Sequence, residues 1–216
     1  MTDCALVAGF APAAELAQLD GWIAPHLHRF HEAVGYGSFG LRCRRLDGVQ
    51  IEQWLPDIVA YGNHRVRPAV EAFAGRPLVA ASHRAQARRI QIFTHPGHGF
   101  RWHYDVTPYA ALLTLRNAGA GETHVVSARL SRWVRPVYYP LAWAPALFSL
   151  VPHRRYATAA GDLLIMRGDA LLHRGVALAE GERVLLVFGF EAPGQGKKSW
   201  RGRFAQVVNT RSRALR

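Results

Sequence analysis

Two spacings of apolar residues divide the chain near residue 77. Before it, Leu16, Leu19, Ile23, Leu27, Phe30 and Val34 recur three and four apart over 11–34. Ile51, Trp54, Leu55, Ile58, Val59, Val66, Val70 and Phe73 do the same over 49–74. That period puts the apolar side chains on one helical face, so both segments are expected to be helical. Asp20-Gly21 interrupts the first, and Pro56 and Gly62-Asn63 interrupt the second.

From Pro77 the runs shorten and are separated by Gly, Pro and polar clusters. Strands are expected at Leu78–Ser82, Arg88–Thr94, Phe100–Tyr104, Ala110–Leu115, Glu122–Ala128, Asp162–Arg167, Leu171–Val176 and Arg183–Phe190. The pattern predicts an α+β chain, mainly β, in one domain over 1–216. Its helical part is 1–76, its jelly-roll core 77–191, and a basic, exposed tail covers 192–216. The helices are expected to pack on one face of the roll. Residues 129–157 fit no strand pattern; they mix Trp133, Tyr138, Tyr139, Trp143, Phe148 and Tyr156 with Arg129, Arg132, Arg135, Arg154 and Arg155. An insertion of this length reads as a lid or binding loop, or equally as an extra piece of core or a dimer contact.

Composition narrows the class. Half of the 216 residues are apolar and 19% are charged, which excludes a disordered chain. The formal net charge is +12, almost all from arginine. An anionic substrate, nucleic acid or a membrane surface would suit it, and so would a merely solvated basic surface. Cys4 and Cys43 are the sole cysteines, which argues against a disulfide framework and fits a reducing cytoplasm. The first residues form no basic leader, and no apolar run approaches the ~20 residues of a membrane span.

The candidate chemistry lies in the second half. His103 and Asp105 stand two apart in Arg-Trp-His-Tyr-Asp, just after a Pro96-Gly97 turn. On a strand, residues two apart share a face and can converge on one ion. His173 lies on another predicted strand, and Arg183 opens the next. Two imidazoles and a carboxylate can occupy one face of an octahedral cation and leave the opposite face open, the ligand set of non-haem Fe(II) oxygenases. Arg183 would suit a dicarboxylate co-substrate. A hairpin from His173 to Arg183 is expected to set the two side by side across one sheet. His26, His28 and His31 do not share a helix face, and His95 and His98 flank the turn, so neither group reads as a metal cluster.

Four ordered stretches over about 88–191 then resemble a known family. They are Pro96-Gly97-x-x-Phe100-x-x-His103-x-Asp105, the strand Leu112–Asn117 running to Gly121-Glu122-Thr123, Gly161-Asp162-Leu163-Leu164-Ile165 before His173, and Arg183 with the strand to Phe190. Together they resemble the prolyl-4-hydroxylase-like branch of the Fe(II)/2-oxoglutarate-dependent oxygenases. The resemblance implies a double-stranded β-helix, Fe(II) held by His103, Asp105 and His173, and the far carboxylate of 2-oxoglutarate on Arg183. O2 would be the oxidant and ascorbate a supporting reductant. Tyrosine often stands in that branch where Phe100 and Thr94 stand here, and lysine where Arg183 stands. The hydroxyls of Thr94 and Thr114 are therefore the candidates for a second co-substrate contact. Halogenases of the family lack the carboxylate that Asp105 supplies, which points to hydroxylation, desaturation or cyclisation.

A small-molecule oxygenase, acting on an amino acid or secondary metabolite, is the leading expectation. Trp102, Arg101, Arg88, Arg174 and Arg167 are candidate contacts to an anionic substrate, with Arg84 and Arg129 behind them. A peptidyl or protein hydroxylase, a nucleic-acid oxygenase or dealkylase, and a non-enzymatic jelly-roll binding protein are the alternatives. A homodimer is a further expectation.

Overall fold

The computed structural model describes residues 3–34, 41–119, 121–138, 140 and 144–195. Tyr139, Trp143 and the basic tail from Lys197 lie outside them. In chain order, β1 (Cys4–Val7), α1 (Ala13–Ile23), β2 (His31–Val34) and β3 (Arg42–Asp47) come first. Then follow α2 (Gly48–Trp54), α3 (Pro56–Tyr61), α4 (Arg67–Ala74), β4 (Val79–Ala80) and α5 (Arg84–Ala87). The second half holds β5 (Arg88–Phe93), β6 (Phe100–His103), β7 (Tyr109–Asn117), β8 (Glu122–Val126) and α6 (Ala128–Tyr138). It ends with β9 (His153–Ala157), β10 (Leu163–Met166), β11 (His173–Gly175) and β12 (Arg183–Glu191).

Two antiparallel sheets face each other. The larger runs β1-β10-β7-β12-β5-β3-β2, with β4 also on β12, and the smaller runs β6-β11-β8-β9. From β5 onward the chain passes back and forth between the sheets, as a jelly roll requires. β12 is buried along its whole length because both its faces are covered. Val184, Leu186 and Phe188 meet Ile90, Ile92 and Leu113 and the helical residues Leu19, Ile23, Ile51, Ile58 and Val70. Each such side chain contributes roughly 1.5–3 kcal/mol on burial. Arg183, Leu185 and Val187, one position out of phase, face the space between the sheets instead.

The helices lie on one face, as the periodicity predicts, but they are shorter. The 11–34 segment is helical only to Ile23, becomes a 3-10 turn over Ala24–Arg29, and ends as β2. Pro25 removes a donor needed to continue the helix, and pairing with β3 captures the rest. The 49–74 segment breaks at Leu55-Pro56, whereas Gly62-Asn63 continues it as a π turn over Gly62–Val66. Asp47 caps α2 by accepting from the Val49 and Gln50 amides, while the Gln50 side chain accepts from the Asp47 amide. All eight expected strand regions contain a strand, several of them shorter than expected. β1, β2, β3 and β9 carry no alternating apolar signal, and the pattern does not predict them; β3 reads Arg-Cys-Arg-Arg-Leu-Asp.

The described residues of 129–157 add a layer of core outside the smaller sheet. Tyr138 and Phe148 pack with Trp102, Tyr104, Val126 and Leu172 on the outer face of the smaller sheet. The Tyr138 hydroxyl donates to the Trp102 carbonyl at 2.9 Å, and β9 extends the sheet beside β8. None of their described residues lines the inner cavity. Among the described residues, no helix is long and apolar enough to cross a membrane.

The Gly161-Asp162 turn fastens two distant parts of the chain. Asp162 accepts from the Gly9 amide at 2.9 Å and the Ala159 amide at 2.8 Å, tying the first loop to the entry of β10. Asp162→Ala is expected to leave both donors unpaired and cost about 2 kcal/mol. A melting experiment should show Tm lower by roughly 4–8 °C, with metal affinity unchanged.

Candidate active site

A break in strand alternation helps assemble the site. On β6, Phe100 and His103, three apart, both face inward while Trp102 faces out, because the β6–β11 pairing shifts register between them. His103 pairs in register with His173 on β11, so the two imidazoles meet across the smaller sheet. Their ring centroids are 4.2 Å apart, and Phe100 stacks on His103 at 3.9 Å. Each histidine donates from Nδ1 to a backbone carbonyl two residues earlier: His103 to Arg101 at 2.8 Å, His173 to Leu171 at 2.9 Å. That fixes the tautomer and turns both Nε2 lone pairs toward Asp105.

Asp105 closes the set. His103 Nε2 lies 3.6 Å from its Oδ1, and His173 Nε2 lies 3.6 Å from its Oδ2. One ligand atom from each residue falls within 4.8 Å of the others. A gap of 3.6 Å is too long for a hydrogen bond and short enough for all three to reach one cation at about 2.1 Å. Burial alone would raise the Asp105 carboxyl, but His173, His103 and Arg89 outweigh it and hold it well below the usual carboxylate range. Burial, reinforced by His103, pulls His173 down from 6.5 to about 4 against the opposing pull of Asp105. At neutral pH the site therefore presents a carboxylate and a neutral His173 lone pair, the forms that bind a metal.

Two glycines leave the space this geometry needs. A Cβ on Gly168 would sit 2.6 Å from Asp105 Oδ2, and the Gly168 carbonyl accepts from the Asp105 amide at 2.9 Å. A Cβ on Gly121 would sit 2.6 Å from the Arg183 side chain. The Gly121-Glu122-Thr123 stretch thus admits Arg183 and then holds it. Nη1 donates to the Glu122 carbonyl at 3.2 Å and Nη2 to the Thr123 hydroxyl at 3.0 Å.

Arg183 is 3% exposed, its Nε has no partner, and no carboxylate lies within 4.0 Å among the described residues. Burial lowers it to about 10, so it stays charged at neutral pH. Glu122 offsets the cost of burying this cation only from a distance, and a bound carboxylate would supply a direct counter-charge. Arg183 does not sit beside His173 in one sheet, contrary to the hairpin expectation. It lies on β12 of the larger sheet, between β5 and β7, and lines the shared cavity from the opposite wall.

The other expected contacts fall elsewhere. Thr114 is buried with its hydroxyl 2.7 Å from that of Thr158, and Thr94 follows inward Phe93; neither lines the cavity. Thr123 does, and the inward phase of β8 is the signal for it. Trp102, Arg101, Arg88, Arg174 and Arg167 do not line it either. Trp102 is buried outside the smaller sheet, with Arg174 over its ring at 4.8 Å. Arg101 is exposed, Arg88 pairs with Glu52 at 3.2 Å, and Arg167 lies 3.7 Å from Asp3. Arg84 also pairs with Glu52, and Arg129 is exposed at the start of α6. Arg89 and Gln91, absent from the sequence-based candidates, line the cavity instead. In Arg88-Arg89-Ile90-Gln91-Ile92-Phe93, period two sends Ile90 and Ile92 to the helices and Arg89 and Gln91 the other way. A separate cleft at Asp20, Ile23, Ala24, Leu27 and Arg116 holds an Asp20–Arg116 pair at 3.6 Å and no metal-ligating cluster among the described residues.

Two outcomes are expected. Gly168→Ala should displace Asp105 and lower Ni(II) affinity at least tenfold by calorimetry, in protein that still unfolds cooperatively. Because folded His173 titrates near 4 and unfolded His173 near 6.5, the unfolded state binds more protons between them. The stability of metal-free protein should therefore fall as pH drops from 6.5 toward 4, and His173→Asn should flatten that slope in melting curves.

No protein-family model and no curated protein matches the sequence. Solved structures match its fold. The non-heme alpha-ketoglutarate-dependent epimerase SnoN from nogalamycin biosynthesis superposes with a TM-score of 0.66 at 14% identity, over 88% of this chain and 78% of that one. HygX from Streptomyces hygroscopicus, with nickel and 2-oxoglutarate bound, gives 0.64 at 16% identity over 89% and 84%. A Pseudomonas putida prolyl-4-hydroxylase gives 0.54 at 15% identity over 89% and 94%. SnoN is also known with Fe3+, alpha-ketoglutarate and nogalamycin RO, and HygX with hygromycin B. The chain has the fold of the non-haem Fe(II)/2-oxoglutarate-dependent oxygenases.

Proposed function

We propose that this protein is an Fe(II)- and 2-oxoglutarate-dependent oxygenase that oxidises a C–H bond of a small molecule. One observation carries the reading. One cavity between the sheets holds two Nε2 lone pairs and a carboxylate on one side and, on the other, a guanidinium with no carboxylate within 4.0 Å among the described residues. Nε2 of His103, Nε2 of His173 and the Asp105 carboxylate would hold the iron. Arg183, positioned by Glu122 and Thr123, would take the far carboxylate of 2-oxoglutarate in a charge-assisted contact.

Bound iron with 2-oxoglutarate would supply O2 activation, one oxygen atom passing to succinate as CO2 leaves and the other to the substrate. The chain's own part is to bind, to orient the C–H bond and to keep water away. The walls are suited to excluding water, because Phe93, Phe100, Leu112, Leu185 and Val187 are apolar and lie between the two sheets. A small-molecule substrate is supported by the natural products bound in SnoN and HygX, which superpose more closely than the prolyl-4-hydroxylase does. The arginines that would have favoured nucleic acid include several committed to structure, among them Arg84, Arg88 and Arg174. Free Cys4 and Cys43 suit a cytoplasmic setting.

Anaerobic protein given Fe(II) and 2-oxoglutarate should develop a weak visible charge-transfer band. Admitting O2 should then release succinate. His103→Ala should abolish the band, whereas Arg183→Gln should raise the 2-oxoglutarate Kd at least tenfold and leave Ni(II) affinity within about threefold. Folded protein that binds no metal and gives no band would contradict the proposal.

A further inference from the structure

The cavity contains a second buried cation, Arg89, beside Asp105 and apart from the Arg183 contact. Arg89 is 8% exposed and Gln91 5% exposed, and both face inward from β5. Arg89 Nη1 donates to Gln86 Oε1 at 2.7 Å, its Nη2 is 4.0 Å from Asp105 Oδ1, and its Nε has no partner. The β5–β12 register sets the two arginines apart. Arg183 pairs with Phe93, while Arg89 pairs with Val187, four residues along each strand. At about 3.4 Å per residue this is roughly 14 Å along the backbone. Arg89 therefore enters the cavity beside Asp105, four residues along the strand pair from Arg183.

Charge balance says what the Arg89 end lacks. Two guanidiniums, one carboxylate, a divalent cation and a dicarboxylate co-substrate leave the lined cavity with one positive charge in excess. The single charge of Asp105 would be shared between Arg89 and a metal, and the excess positive charge between two packed sheets is unfavourable. A monoanion would restore neutrality.

Resting on the oxygenase reading above, we propose that Arg89 and Gln91 form the recognition site for a carboxylate of the substrate. The guanidinium supplies the counter-charge and directional N–H donors, and the Gln91 amide a further donor on the same strand face. The substrate class is then a small organic monoanion whose oxidised carbon lies near the metal while its carboxylate lies on β5. Arg89 would act as a specificity residue rather than a metal ligand.

Calorimetry on Ni(II)- and 2-oxoglutarate-loaded protein tests this without turnover. The probes are hexanoate, phenylacetate and N-acetyl amino acids, each beside its primary amide. At least one carboxylate should bind tenfold or more tightly than its amide. Arg89→Gln should erase that preference, Arg89→Lys retain part of it, and Gln91→Leu weaken carboxylate binding several-fold. 2-Oxoglutarate affinity should stay within about threefold in all three variants and Ni(II) affinity within about threefold in Gln91→Leu, while Arg89→Gln, which removes a cation beside Asp105, is titrated at saturating Ni(II). Should 2-oxoglutarate fail to bind, the oxygenase reading fails separately, and the same series on Ni(II) protein alone still decides the role of Arg89. No carboxylate preference in the wild type would overturn the proposal. So would an Arg89→Gln variant that loses Ni(II) affinity while keeping the preference, since Arg89 would then serve Asp105.

Discussion

The site depends on one unfavourable group kept ionised in a dry place. Asp105 sits between two packed sheets, where burial alone favours its neutral form. Its neighbours reverse that preference, and every one of them is fixed by the fold. His103 and His173 face each other through strand register and are oriented by backbone carbonyls. Arg89 reaches it from the larger sheet, and Gly168 gives it room. The carboxylate is thus available to a cation and has little freedom to turn away. Such preorganisation lowers the reorganisation cost of binding.

The same alternation that buries the core builds the chemistry. β5, β7 and β12 have two covered faces, and each places one against the helices and the other on the cavity. A one-residue slip of β12 would send Arg183 to the helices and Val184 to the cavity. The β7–β12 pairing contains a register shift between Val184 and Leu185, next to Arg183. Bulges of this kind often adjoin functional positions. The smaller sheet depends in turn on its outer layer, because Trp102 and Tyr104 need the cover that α6 and the 145–150 turn provide.

Much of this is legible in the sequence, and the reason is local. His103 and Asp105 lie on one short stretch after a Pro-Gly turn, and the central strands carry clear apolar runs. What period and turn signals cannot carry is long-range. β1, β3 and β9 form through partners far along the chain, β2 forms at the sheet edge on β3, and arginines fill much of β3 and β9. The relation of His173 to Arg183 escapes a hairpin argument because a jelly roll sends these successive strands to opposite sheets. The cavity arginines escape a charge argument because charge says nothing about facing. Arg88 and Arg89 are adjacent, yet one pairs with Glu52 while the other enters the cavity.

X-ray absorption at the iron edge, on anaerobic protein loaded with Fe(II) and 2-oxoglutarate, tests the central claim most directly. The expected spectrum is that of one six-coordinate iron with scattering from two imidazoles, falling to one in His173→Ala. A count of two that is unchanged in both His103→Ala and His173→Ala would place the metal elsewhere and contradict the assignment.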